Sequence, residues 1–348
     1  MKILHIVFSF KYGGIETMLV NIVNEQIQDE DVSILIINNS YNQNLIDKID
    51  KRVRIIKVNR PIKSKNPYYI IKMNYLIHRL APNIIHTHTT HIIHYLLPYF
   101  HAKTVNTFHE TPNPIDLNYL HLYKQIFAIS KSVQTDLKRH GFKSIIIENG
   151  IRPQLFIPKT SGYNSNEIFK IVQIGRLEHY KKGHDLLLEA CALLINKGIV
   201  NFHVDFIGEG ESMEYLKKIT YNKNLNEYIT FLGSRDTYYI EKHLKDYHLL
   251  VQPSRIEGFG LTVAEAMASN VPVLVSGQEG PMEIINHGEF GYFFKNENVE
   301  DLAEKIKKIM NENISIINGI TQRAKLRIEK CYNVKNTAIK YLKEYNQI

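Results

Sequence analysis

Long apolar runs are missing from this chain. Nowhere do about 18 consecutive apolar residues occur, which excludes an ordinary membrane-spanning helix. Cysteine is scarce: Cys191 and Cys331 stand far apart and without metal-ligand spacing, as expected in a reducing compartment. Cys191, in "LLLEACALL", reads as a buried helix residue. The absence of any tandem repeat or low-complexity tract argues against a solenoid. The opening "MKILHIVFSFKYGG" has one lysine and a short apolar run, then polar residues where an export signal needs a small-residue cleavage site. It reads as a first strand, and the expected location is the cytoplasm.

What is present is enough for two packed cores. The chain has 348 residues, 44% of them hydrophobic, and one core rarely organises that length. Net charge is +8, and part of the excess is local. Residues 45–80 carry Lys48, Lys51, Arg52, Arg54, Lys57, Arg60, Lys63, Lys65, Lys72 and Arg79 against only Asp47 and Asp50. Tyr68, Tyr69, Tyr75, Ile70, Ile71 and Leu76 lie among them, which suits an apolar face with a cationic rim resting on anionic lipid; a solvated basic surface is the competing reading. No reader helix for DNA is recognisable, so nucleic acid is not an expected partner.

Short β-branched runs alternate with helical patterns from the start: "KILHIVF", "VSILIIN", "VRIIKV", "NIIHTH", "KTVNTFH", "QIFAIS" and "SIIIE". Spacers long enough for crossover helices predict a parallel sheet covered on both faces. The breakers Gly150, Pro153, Pro158, Ser161, Gly162 and Ser165 then mark a linker. Alternation resumes with "FKIVQIG", "NFHVDFIG", "YITFLG", "HLLVQP" and "VPVLVS", and after residue 299 only helical patterns remain. The expected fold is therefore two Rossmann-like doubly wound α/β domains, residues 1–158 and 159–330, with residues 331–348 a terminal helix packing on the first. Ligands of such sheets sit outside the strands' carboxyl ends, so two domains facing across a cleft would build one site from both halves.

The strand-end motifs suggest what the site holds. "EGFGLTVAE" follows the strand "HLLVQP", placing Glu257, Gly258, Phe259 and Gly260 at its carboxyl end and opening a helix at Leu261. Glycines admit close backbone approach, and a helix start offers free N–H groups and partial positive charge to an anion. Glu257 and Glu265 suit the paired hydroxyls of a sugar or ribose. A phosphate flanked by two polyols describes a nucleotide sugar. "GRLEHYKKG" sets Arg176 and Lys182 at another strand end, where they can neutralise a diphosphate. No Asp-x-Asp is expected to organise magnesium, so fixed cations and helix N-termini would have to serve, with no metal expected. In "KYGGIE", Gly13 and Gly14 offer a backbone cradle before the first helix that is not the G-x-G-x-x-G dinucleotide fingerprint.

These elements in this order resemble glycosyltransferase family 4 (group 1), retaining enzymes of two-Rossmann GT-B architecture. "EGFGLTVAE" resembles its E-x7-E element, "GRLEHYKKG" its diphosphate site, "ENGIRPQLFIP" its interdomain segment, "GGIE" its glycine loop and "NTFHE" its T-x-H element. The likeness covers nearly the whole chain. It implies that Glu265 holds ribose hydroxyls and Glu257 donor-sugar hydroxyls, and that the N–H groups of Phe259, Gly260 and Leu261 meet sugar and phosphate. Arg176 and Lys182 would stabilise the leaving diphosphate, Gly14 would close over it, and His109 would sit beside the reactive sugar carbon. The co-substrate implied is a nucleoside diphosphate sugar, uracil favoured and guanine open, with no other cofactor. The acceptor would be a hydroxyl of a saccharide or lipid-linked saccharide in surface polysaccharide synthesis.

One departure is "SNVPV", where Asn270 replaces the usual glycine. His86, His88, His91 and His94 suggest a metal at first sight, but no cysteine or nearby carboxylate completes a set. One or two of them are expected to line the acceptor side. Two other readings use the same features: a nucleotide-sugar epimerase, and a non-catalytic glycosyltransferase-like partner subunit.

Overall fold

The computed structural model describes residues 1–11, 13–110, 117–160, 167–277 and 279–348. The chain divides into two compact units, Met1–Ile151 with Asn333–Ile348, and Arg152–Tyr332. The division therefore falls a few residues before the expected boundary at 158. Of the linker breakers, Ser161, Gly162 and Ser165 lie outside the described residues.

The first unit is built on a parallel sheet of β1 (Lys2–Val7), β2 (Asp31–Asn38), β3 (Arg54–Arg60), β4 (Ile84–Thr87), β5 (Thr104–Phe108), β6 (Gln125–Ala128) and β7 (Ile145–Ile146). Their order across the sheet is 3-2-1-4-5-6-7. The second unit repeats the scheme with β8 (Phe169–Ile174), β9 (Phe202–Ile207), β10 (Ile229–Gly233), β11 (Leu249–Gln252), β12 (Val273–Ser276) and β13 (Tyr292–Phe294), ordered 10-9-8-11-12-13. Every recorded pairing is parallel. In each sheet the winding reverses beside its first strand, between β1 and β4 and between β8 and β11. These are the points where open α/β sheets bind ligands. β13 went unanticipated because it is three residues long at a sheet edge, with Phe293 largely exposed.

The helices follow the apolar spacing. α1 (Gly14–Gln26) buries Met18, Leu19, Ile22 and Val23, one stripe at helical period. α2 (Tyr68–Leu80) and α3 (Lys131–Arg139) flank the same sheet's connections, α3 being capped by the Ser130 hydroxyl on the Val133 N–H. In the second unit α4 (His184–Asn196) buries Leu187, Leu188, Cys191 and Leu194 against β8 and β9, so Cys191 is a core residue and burial pushes its thiol up. Leu187→Ala there should cost about 3 kcal/mol through lost burial and a cavity. α5 (Leu261–Ala268), α6 (Val299–Met310) and α7 (Ile314–Cys331) also belong to that unit, while α8 (Val334–Tyr345) belongs to the first and packs on α1. Asn270, at the departure noted above, takes φ 56°, a left-handed conformation that asparagine tolerates next best after glycine.

Candidate active site

In the second unit the switch point gathers the predicted residues. Arg176 stands two residues beyond β8, and Lys182 ends a short helical turn before α4. The Lys182 Nζ donates to Glu257 Oε2 at 2.6 Å, and Gln252 Nε2, at the end of β11, donates to the same oxygen at 2.7 Å. Thr262 Oγ1 in turn donates to Gln252 Oε1 at 2.8 Å, fixing the amide. The two side chains of the ion pair retain 25% and 15% exposure, so a ligand can still reach them. Arg176 points outward, 71% exposed, with Glu178 at 3.0 Å. Such a surface pair holds the guanidinium only weakly and leaves it free to turn to an anion.

Two glycines are required by backbone shape. At Gly183, φ is 65° and a Cβ would lie 2.0 Å from the Pro253 carbonyl oxygen, so the cationic turn and the β11 loop touch through main chain. At Gly260, φ is 102°, and this residue starts α5 without any side-chain cap. Among the described residues no acceptor meets the N–H groups of Phe259, Gly260 or Leu261. Phe259 itself is buried, its ring 5.6 Å from that of Tyr332.

Glu265 differs from Glu257. It lies a turn into α5, no hydrogen bond to its carboxylate is recorded among the described residues, and burial together with the nearby Glu241 charge pushes its pKa up to about 8. A carboxyl in that setting waits for donors.

Arg255, Asp185, Gln252 and Thr262 were not anticipated. Arg255 grips Asp185 with two bonds of 2.9 and 2.8 Å, donates to the His179 carbonyl at 2.8 Å and reaches Glu297 at 2.9 Å. It thereby ties the turn carrying Lys182 to the loop carrying Glu257. The only local hint was a cation directly after "VQPS", at a strand's carboxyl end.

In the first unit Gly13 is the uncapped start of α1, and Gly14 is its first residue. Glu16 in the same turn brings a carboxylate to within 2.5 Å of where a Gly13 Cβ would be, so part of this helix start is already served by an acid. His109 follows β5, its Nε2 3.2 Å from His88 Nδ1, and burial lowers its pKa to about 3. The four-histidine stretch divides. His86 and His88 are core residues rather than lining residues, whereas His91 and His94 lie in a 3-10 stretch, Thr90–Tyr95, and face Tyr119. The three ring nitrogens that do come together, within 4.8 Å, belong to His5, His86 and His88. His5 was overlooked because one histidine in an apolar strand reads as core.

An Asp-x-Asp does occur at Asp29–Glu30–Asp31, but it sits at the amino end of β2, away from the strand ends that carry these motifs. Two surface hollows, beside Met1 and Asp29 and beside Lys159 and His248, likewise lie at strand amino ends.

The family profile described as Glycosyl transferases group 1 matches residues 158–327, and that described as Glycosyltransferase Family 4 matches residues 12–155. The chain is 32% identical over 164 residues to the poly(ribitol-phosphate) alpha-N-acetylglucosaminyltransferase of Staphylococcus aureus, covering 47% of this chain and 32% of that protein. It is 28% identical over 213 residues to an uncharacterized glycosyltransferase of Methanocaldococcus jannaschii, covering 56% of this chain and 54% of the relative. The chain thus spans from about a third to about half the length of these curated relatives. The crystal structure of Anabaena HepE in complex with UDP-glucose superposes with a TM-score of 0.85 at 21% identity over 100% of both chains, a likeness of fold. With one profile on each unit, the chain belongs to the group 1, family 4 glycosyltransferases.

Proposed function

We propose that this chain is a retaining glycosyltransferase that moves a hexosyl or N-acetylhexosaminyl group from a uridine diphosphate sugar to a hydroxyl of a saccharide or lipid-linked saccharide. The observation that carries the reading is the cluster at the second switch point: Lys182 paired with Glu257, beside the N–H groups of residues 259–261, which meet no acceptor among the described residues. Free backbone donors and a lysine suit a diphosphate, and a carboxylate held within the same cluster suits the hydroxyls of the sugar it carries. UDP-glucose in the Anabaena structure and the N-acetylglucosaminyl transfer in the Staphylococcus protein's name support this choice of donor class.

In the reaction, the bond from the anomeric carbon to the diphosphate oxygen breaks and a bond to the acceptor oxygen forms on the same face. The acceptor proton passes to the leaving phosphate oxygen. Lys182 and Arg176 would meet the charge that grows on the diphosphate, and the family resemblance assigns His109 to the sugar's reactive carbon. Glu257 need not attack carbon. Permanent cations take the place of a divalent ion, so binding is expected to be metal-independent. Calorimetry with UDP and UDP-sugars in excess EDTA tests this: micromolar binding is expected, and binding seen only after magnesium or manganese is added would remove the reading. Retention of anomeric configuration in the product, read by proton couplings, tests the stereochemistry.

The acceptor side of the proposal draws on α2. Its buried face is Met73, Asn74 and Ile77, yet Tyr68, Ile71 and Tyr75, spaced for one face, are more than half exposed, as is Ile62 before it. An outward apolar stripe within a basic segment suits the anionic inner face of a membrane, where a cytoplasmic enzyme meets a lipid-linked acceptor. Among the described residues no helix is long and apolar enough to cross a membrane. Flotation with anionic liposomes is expected for the native chain and not for an Ile71→Glu, Tyr75→Glu variant. Equal recovery with neutral liposomes would point to a soluble acceptor.

A further inference from the structure

Period two along parallel strands puts alternate residues on one face. His5 in β1 is in register with His86 in β4, and His86 with Val105 in β5. His88 and His109 each lie an even number of residues further along, on that same face. Against it pack Gln26 from the end of α1 and Tyr341 and Tyr345 from α8. A polar file results inside the first unit. Gln26 Oε1 is 2.8 Å from His5 Nε2, His5 Nδ1 is 3.1 Å from His88 Nε2, and His88 Nδ1 is 3.2 Å from His109 Nε2. His86 stands beside the file, with Nδ1 2.6 Å from the Tyr345 hydroxyl and Nε2 2.7 Å from Thr107 Oγ1, itself 2.9 Å from the Tyr341 hydroxyl.

Three clustered imidazoles invite a metal, but zinc needs a bare lone pair from each at about 2 Å. Here both nitrogens of His5, His86 and His88 already have side-chain partners at hydrogen-bond distance. Neutral imidazole carries one N–H, donates at one nitrogen and accepts at the other, so a file of such rings has a single direction fixed at its end.

We propose that Gln26, His5 and His88 are positioning residues that fix which ring nitrogen of His109 carries its proton. Gln26 turns its carboxamide oxygen to His5 Nε2 at 2.8 Å, while its own Nε2 meets no hydrogen-bond partner among the described residues. His5 must then donate from Nε2 and accept at Nδ1, His88 the same, and His109 the same. His109 is held as the Nε2–H tautomer with a bare Nδ1. Burial keeps all these rings neutral, since a proton added anywhere would break the sequence of donors. The consequence for turnover rests on the reading that places His109 beside the sugar carbon; the tautomer itself does not.

Nitrogen-15 histidine spectra of the full chain test the relay. His5, His88 and His109 are expected to show the neutral Nε2–H pattern at pH 7, each assigned by its own substitution. Gln26→Leu, which removes the terminal acceptor, should shift His109 toward the Nδ1–H form and lower kcat by about 10-fold with donor KM nearly unchanged. His88→Gln, which keeps a donor and an acceptor, should retain more kcat than His88→Leu. Unchanged thermal stabilisation by UDP would show that these variants remain folded. A His109 tautomer indifferent to both Gln26→Leu and His88→Leu overturns the proposal, and so does stoichiometric zinc in the purified protein. A tautomer that responds while kcat does not would uphold the relay and sink the placement of His109 at the reaction.

Discussion

The two switch points share one topology and use opposite chemistry. In the second unit, the ends of β8 and β11 carry formal charge settled in pairs: Lys182 with Glu257, and Arg255 with Asp185. In the first, the ends of β1, β4 and β5 carry neutral imidazoles joined end to end, and burial holds each below its ordinary pKa, His5 to about 4 and His109 to about 3. Fixed charge is what a diphosphate demands. Uncharged, directional donors and acceptors suit a place where a sugar must be oriented without a competing ion.

The largest effect that can break this contrast is on turnover. Lys182→Ala and Arg176→Ala should each lower kcat by about 100-fold if they meet leaving-group charge. Near-native rates in both would mean that the charged cluster only builds structure. Next comes Arg255→Met, which should cost about 2 kcal/mol in urea unfolding by stranding Asp185, and should raise the donor KM through the loosened Lys182 turn. No change in either would leave the clamp without a role.

Acidity should then separate the units in opposite directions. The histidines favour folding fully above their ordinary pKa near 6.5, and that contribution is lost as pH falls through their depressed values. Glu265, raised from 4.5 to about 8, does the reverse: its contribution is whole below the ordinary value and disappears as pH climbs through 8. Hydrogen exchange should therefore open β1, β4 and β5 first in acid and α5 first at alkaline pH. Glu265→Gln should leave Tm unchanged near pH 4, raise it by about 3 °C above pH 8, and weaken UDP binding. Equal Tm at both ends of the range would sink the assignment. Arg52→Ala, which removes an exposed partner of Asp50, should have no measurable effect on Tm.

Much of this was legible in one dimension. Arg176, Lys182, Glu257 and residues 258–261 all lie just past apolar runs whose ends are easily read, and a parallel sheet places all such ends on one edge. The return of the terminal helix to the first unit was expected, whereas the clamp by Arg255 was less accessible, because it joins segments far apart in sequence.

By itself the sequence determined the two sheets and the edge on which each motif would stand, since period, breakers and strand length are local properties. Only tertiary structure decided that β1 lies against β4, and hence that His5 meets His88 and, through it, His109. The same holds for Glu265, whose carboxyl pKa is pushed up to about 8 by burial and the Glu241 charge, both supplied by surroundings assembled from elsewhere in the chain. Strand adjacency and desolvation are non-local, and no window along the chain contains them.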